Sequence, residues 1–302
     1  MRYGIDLGGT KIEIAALAAD GSLRLRRRVA SPQGDYNATV AAIAGLVRAA
    51  DAELGEKPSV GVGIPGTISP ATGLVKNANS VWLIGHPLDR DLAAAVGRPV
   101  RIANDADCFV LSEASDGAAA GARSVFGVII GTGVGGGLVY EGRPVVGANS
   151  IAGEWGHNPL PTPRIVDGHD ERPGPKCYCG RSGCIESFLS GPSLARDHHR
   201  VTGKELPTRD IVAAAEAGDA DASATLARYA DRFARALGTI VNVFDPEVIV
   251  LGGGLSNLDY LYKAVPPLLS KFVFSDTIVT RIVRNMHGDS SGVRGAAWLW
   301  PA

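Results

Sequence analysis

Asp6-Leu7-Gly8-Gly9-Thr10-Lys11 and Gly131-Thr132-Gly133-Val134-Gly135-Gly136-Gly137 spell one local shape twice. An apolar, strand-like run precedes each turn (Arg2 to Leu7, Val125 to Ile130), and a second run follows it (Ile12 to Ala18, Gly135 to Tyr140). With Gly9-Thr10 laid on Gly131-Thr132, the next turn glycines, Gly21 and Gly142, agree to within one residue. Such weak internal duplication marks two related lobes. The copies differ at one informative place, because Asp6 falls on Val128. A glycine turn leaves backbone N–H groups exposed and lets a phosphate approach without a Cβ in the way. Gly252-Gly253-Gly254, after the apolar run Val248 to Leu251, is a third such place. None fits the P-loop pattern or the G-x-G-x-x-G that opens a Rossmann helix. A single turn of this kind is ordinarily a hairpin, but three of them, two in repeated context with threonine, point to phosphate. Asp6 can hold Mg²⁺ through water beside such a turn, or simply bond to the turn amides.

Outward from the turns, strands alternate with helices. Leu23 to Ala30 reads as a third strand and about Asn37 to Leu54 as a helix stopped by Gly55. Val60 to Ile64 and Val100 to Ala103 read as strands, with a short helix near Leu88 to Val96 between them. Asp219 caps a long helix with apolar residues at Leu226, Ala230, Phe233, Leu237, Val241 and Phe244. A helix near Leu258 to Leu269, a strand at Ile278 to Val283 and a terminal helix complete the chain. The pattern predicts α/β architecture in two lobes with a cleft between them. Residues 1–118 and the terminal helix, about 290–302, form the expected small lobe, and 119–289 the large one.

Composition sets the limits. With 302 residues, 45% hydrophobic and 20% charged, the chain can bury a sizeable core, and a net charge of −1 gives no electrostatic reason to invoke nucleic acid or a membrane surface. The long uncharged run Val125 to Tyr140 holds six glycines and falls short of a spanning helix. The N-terminus runs straight into a strand, unlike a signal peptide. Four cysteines are too few for a disulfide scaffold at this length, and the expected compartment is the cytoplasm.

Two clusters carry further chemistry. Asn104-Asp105 stands at a strand-to-helix junction, where a carboxylate either caps the helix or accepts the proton of an attacking hydroxyl. His157, Cys177, Cys179 and Cys184 fit a closed Cys₃His zinc site, although three free thiols on a loop read equally well. Cys108 reads as a buried small hydrophobe.

The segment Asp6 to Lys11 resembles the first phosphate motif of the actin-like ATPase and sugar-kinase superfamily, Gly131 to Gly137 its second, and Gly252 to Gly254 its adenosine-side motif. More narrowly, the whole chain resembles the ROK family (repressors, open reading frames and kinases), and the segments Asn77 to Trp82 and Gly153 to Pro161 look most like its bacterial fructokinase or mannofructokinase branch. That resemblance implies the two-lobed actin-like (ribonuclease H-like) fold and ATP-dependent phosphorylation of a hexose, D-fructose first, with glucose, mannose or N-acetylglucosamine as alternatives. It implies Asp105 as catalytic base, and Asn79, Asn104, Asp105, Glu154, His157 and Glu186 as sugar contacts. ATP and Mg²⁺ fall to Asp6, Gly8, Gly9, Thr10, Lys11, Gly131, Thr132, Gly133, Gly252, Gly253 and Gly254. The resemblance also implies that His157, Cys177, Cys179 and Cys184 hold a structural zinc within segment 157–184. Asp107 departs from the commoner family Asn. The family also contains repressors and sugar sensors, whose winged helix-turn-helix precedes the first motif; here that motif begins at residue 4 with no basic extension. Similar proteins are often homodimers, and the sequence shows no interface.

Overall fold

The computed structural model describes residues 1–300 and resolves into two compact units. One comprises residues 1–123, 137–152 and the chain from Met286; the other comprises 124–136 and 153–285.

In the first unit, β1 (Arg2–Leu7), β2 (Lys11–Leu17) and β3 (Leu23–Ala30) form an antiparallel meander. Helix α1 (Tyr36–Leu54) follows, capped by Asp35, whose carboxylate accepts from Ala38 N–H at 2.9 Å. Then come β4 (Ser59–Ile64), α2 (Leu88–Val96), β5 (Val100–Asn104) and α3 (Asp105–Ser115). The sheet order is β3-β2-β1-β4-β5, with β1, β4 and β5 parallel. Tyr3, Ile5, Ile14, Ile43, Val47, Val60 and Val62 are buried to completion or nearly so and make the core under α1.

The second unit opens with β6 (Ser124–Ile130) and the first residues of β7 (Val134–Tyr140). Beyond Gly136, β7 belongs to the first unit, where its end pairs with β8 (Arg143–Pro144) as a small hairpin. The second unit continues with α4 (Glu186–Leu189), α5 (Gly191–Thr202), α6 (Thr208–Glu216), α7 (Ala220–Phe244), β9 (Val248–Gly252), α8 (Asp259–Leu269) and β10 (Arg281–Arg284). Its strands run β7-β6-β9-β10, with β6, β9 and β10 parallel. This repeats the β2-β1-β4-β5 arrangement of the first sheet, so the duplication visible in the glycine turns extends to topology.

Helix α9 (Ser291–Trp298) closes the first unit. A Cβ on Gly4 of β1 would overlap the Val293 carbonyl oxygen, one on Gly61 of β4 that of Ala296, and one on Gly295 that of Cys108 in α3. Three glycines therefore let helix and sheet backbones meet with no side chain between them. Cys108 is fully buried at this contact, and burial pushes its thiol well up.

Several boundaries differ from the sequence reading. The division expected at 118/119 falls at 123/124, because Glu113 accepts from Ala118 N–H (side chain, 2.9 Å) and Ala119 N–H (backbone, 2.9 Å) and keeps that turn with α3. Residues 137–152, expected in the large lobe, cluster with the first unit; a Cβ on Gly137 would lie 2.8 Å from Ala106 O of α3. The strand expected from Ile278 starts at Arg281, where pairing with β9 begins (Val248↔Arg281). The terminal helix ends at Trp298, and the last two residues assigned to it, 301 and 302, lie outside the described residues. Among the described residues, no helix is long and apolar enough to cross a membrane.

Candidate active site and metal centre

Each unit carries its own set of candidate side chains. In the first, the turn between β1 and β2 closes when Gly8 N–H donates to Lys11 O at 3.0 Å, leaving Gly9 and Thr10 exposed. Asp6 sits two residues earlier, half-buried. Burial, and then the negative charge of Glu13, raise its carboxyl pKa above the usual range. A Cβ on Gly292 would stand 3.5 Å from that carboxyl group, so the absent side chain leaves a space over it. An acid with its charge resisted and space above it is a fit site for a hydrated divalent cation.

Asp105 is the first residue of α3 and is exposed; its Oδ1 accepts from Ala106 N–H at 2.8 Å. Asn104 supplies the cap, its Oδ1 accepting from the same N–H at 2.9 Å while its amide donates to Gly66 O at 3.1 Å. Capping thus rests chiefly on Asn104, and the Asp105 carboxylate stands on a helix N-terminus open to solvent. Asn79 is exposed on the loop after the ribbon Thr67–Ile68/Val75–Lys76. Asp107 is buried on α3.

In the second unit, Gly131 N–H donates to Gly133 O at 3.0 Å, and Thr132 is exposed at the tip. Gly191 N–H, at the start of α5, donates to Gly131 O at 2.7 Å, which brings a helix N-terminus to the turn. The third glycine run lies against it: a Cβ on Gly253 (φ 79°) would come within 2.5 Å of Ile130 O, and one on Gly131 within 3.9 Å of Gly254 N. Both runs end the parallel strands β6 and β9, so Gly131, Gly133, Gly253 and Gly254 form one patch of backbone fit for phosphate or nucleoside.

Glu186, at the start of α4, joins this patch to the cysteines. Its Oε2 accepts from Val134 N–H at 3.0 Å and would lie 2.7 Å from a Cβ on Gly133, so a side chain there would push the carboxylate aside. Its Oε1 accepts the thiol of Cys177 at 3.9 Å. The short turn Trp155–His157 is pinned to β7: Trp155 Nε1 donates to Gly135 O at 2.9 Å, and the indole packs on Phe126 and Phe233. Trp155 is therefore a packing residue. Glu154, just before it, is exposed.

His157, Cys177, Cys179 and Cys184 converge, with one ligand atom from each lying within 4.8 Å of all the others. Cys177 Sγ is 3.6 Å from His157 Nδ1, and Cys179 Sγ is 3.6 Å from Cys184 Sγ. Tetrahedral zinc bonds would separate such atoms by about 3.5–3.8 Å, so the donor set fits the ion. All four cysteines are free thiols. His157 Nε2 pairs with Tyr178 Oη at 3.0 Å, which leaves Nδ1 to the cluster. The knuckle is built by Gly180 N–H donating to Cys177 O (3.1 Å) and Cys177 N–H donating to Arg181 O (2.8 Å). Burial pushes Cys184 up to about 12 and raises Cys177, whereas the backbone N–H of Arg181 lowers Cys179.

Sequence reasoning missed the buried charges around this segment. Arg228, Arg232 and Arg235 lie inside the second unit with Glu171 and Asp197 as partners. Their spacing on one stripe of α7 was a signal; the partners had none.

Residues 2–302 match the sequence profile described as the ROK family. The chain is 42% identical over 299 residues to an N-acetyl-D-glucosamine kinase of Pectobacterium atrosepticum, covering 99% of this chain and 98% of that protein. Among solved structures it is similar to a ROK hexokinase from Thermus thermophilus (31% identity, TM-score 0.85, 99% and 97% of the two chains). It is similar also to a ROK family glucokinase from Streptomyces griseus in complex with glucose and AMPPNP (26%, 0.74, 98% and 97%).

Proposed function

The chain belongs to the ROK family, and from that membership we propose an ATP-dependent hexose kinase whose acceptor is N-acetyl-D-glucosamine. The fructose reading drawn from Asn77 to Trp82 and Gly153 to Pro161 gives way. The observation that carries the replacement is 42% identity sustained over nearly the whole length of an N-acetyl-D-glucosamine kinase, a far longer comparison than two short segments. The glucokinase complex with AMPPNP supports ATP as the donor.

In this reading a sugar hydroxyl attacks the γ-phosphorus, ADP leaves, and Asp105 takes the hydroxyl proton late in a loose transition state. Its exposed carboxylate at the head of α3 suits that task. Gly8 to Lys11, Gly131 to Gly133 and Gly252 to Gly254 offer backbone to the nucleotide. Asp6 would hold Mg²⁺ through water, and that ion neutralises phosphate charge. Asn79, Asn104, Glu154, His157 and Glu186 are proposed sugar contacts. His157, Cys177, Cys179 and Cys184 would hold zinc in a closed set with no position for water, so its role is to order the segment. A cytoplasmic setting accords with ATP as donor and with free thiols.

The test is ADP release with Mg²⁺-ATP and separate N-acetylglucosamine, glucose, mannose and fructose. The highest kcat/KM is expected with N-acetylglucosamine. A clear preference for fructose would restore the motif reading, and sugar binding without turnover would make the chain a sensor.

A further inference from the structure

The geometry points to Glu171 as the positioning residue that holds the zinc-binding segment in place before the metal arrives. This inference rests on the zinc reading of His157, Cys177, Cys179 and Cys184. Between His157 and Cys177 the chain makes a detour, residues 158–176, with little regular structure: a two-residue ribbon, Ile165–Val166 against His169–Asp170. Glu171 closes the base of that ribbon. Its N–H donates to Arg164 O at 3.1 Å, and its Oε2 accepts from Arg164 N–H at 3.0 Å.

The rest of its carboxylate faces α7. Oε1 accepts from Arg232 Nε at 2.8 Å and Arg235 Nη2 at 2.7 Å, and the three side chains are 0–3% exposed. Arg235 also donates to Pro161 O (3.0 Å) and Thr162 O (2.9 Å), and Arg164 pairs with Asp231 of α7 at 2.5 Å. The detour is therefore bound to a long, well-packed helix at both of its ends.

Its exit leads straight to the metal ligands. Pro173-Gly174 crosses the knuckle where a Cβ on Gly174 (φ 84°) would overlap Gly183 Cα, next to Cys184. Fixing residue 171 thus fixes where Cys177 and Cys184 come together. A site ordered in advance binds its metal more tightly, because less chain freedom is lost on binding.

Zinc affinity, read by competition with a chromogenic chelator, tests the role. Glu171→Gln is expected to weaken zinc about tenfold or more. Asp197→Asn is the comparison: Asp197 pairs with Arg228 and Arg232 from α5 and reaches 158–176 only through those arginines, which also pair with Asp167 and Glu171, so it should lower Tm while weakening zinc much less than Glu171→Gln. Equal weakening in both variants, or none in Glu171→Gln, overturns the proposal. Hydrogen exchange on the unmutated chain decides the matter even where Glu171→Gln does not fold. Amides 164 and 171 should keep their protection when zinc is stripped; loss of it would mean that the metal orders the detour. A wild-type chain that binds no zinc removes the site reading and this role with it, whereas wild-type binding unaffected by Glu171→Gln removes the role alone.

Discussion

The two units hold their candidate side chains by different means. In the first, Asp6 ends a central strand and Asp105 starts a helix, and both elements are locked by α9 through glycine contacts that admit no slack. In the second, Glu154, His157 and Glu186 ride on a single turn of 3₁₀ helix and a four-residue helix, between cysteines and buried arginines. Core packing fixes one set; ion pairing and a cluster fit for a metal surround the other. The residues proposed for phosphoryl transfer therefore sit on rigid elements, and those proposed to meet the sugar sit where a metal can set their order.

The largest expected effect tests the rigid side. Asp105→Asn keeps an acceptor for Ala106 N–H and leaves the Asn104 cap untouched, so folding and zinc content should not change. Removal of a general base is expected to cost about 10²–10⁴-fold in kcat. A kcat within a few fold of wild type would show that the carboxylate is only part of the helix cap, and that the first unit's rigidity serves something else.

Next in size is the effect of stripping zinc. Residues 174–186 should loosen, the sugar KM should rise about tenfold or more, and the first unit's secondary structure should persist. Burial raises the Cys177 and Cys184 thiols, so zinc must displace protons to bind. Zinc affinity should accordingly fall as pH falls, measurable by chelator competition across a pH series. An unchanged sugar KM in metal-free protein would erase the contrast between the units.

The same contrast explains what could be read from the sequence. The glycine turns, the strands around them and the Asn104-Asp105 junction are local patterns with period and spacing, and the folded chain places them close to where those patterns put them. The cysteines were legible as a cluster because three of them crowd together. The bond from Glu171 to Arg232 and Arg235 was not, since it joins residues more than sixty positions apart and nothing local marks a partner. Arginines on a helix ordinarily read as its solvated face; these are buried because the detour after His157 lies over them. The unit boundary moved for a similar reason, because Glu113 bonds to the turn that follows its own helix. Sugar preference was not legible, since neither of the short segments that resemble the fructokinase branch carries a physical reason to favour one hexose over another.

The smallest effect belongs to Asp6, and it separates stability from function within the rigid unit. Burial and Glu13 raise its carboxyl pKa, so the folded chain resists the charge that the unfolded chain accepts readily. Whatever stability the group contributes is fully present below its unfolded pKa and declines as pH rises through that value to the raised folded one. At neutral pH Asp6 is therefore a cost to the fold. Asp6→Asn removes the charge at nearly constant shape, so Tm should rise slightly at about pH 8 and the gain should shrink toward about pH 5. Turnover should fall in the same variant, because the amide no longer offers a carboxylate for hydrated Mg²⁺. A variant less stable than wild type at neutral pH would show that the charge is held by partners within the fold, which would make Asp6 a structural residue of the β1–β2 turn. A variant that is more stable and inactive would show a strand-end acid kept against its own electrostatics for the sake of the nucleotide.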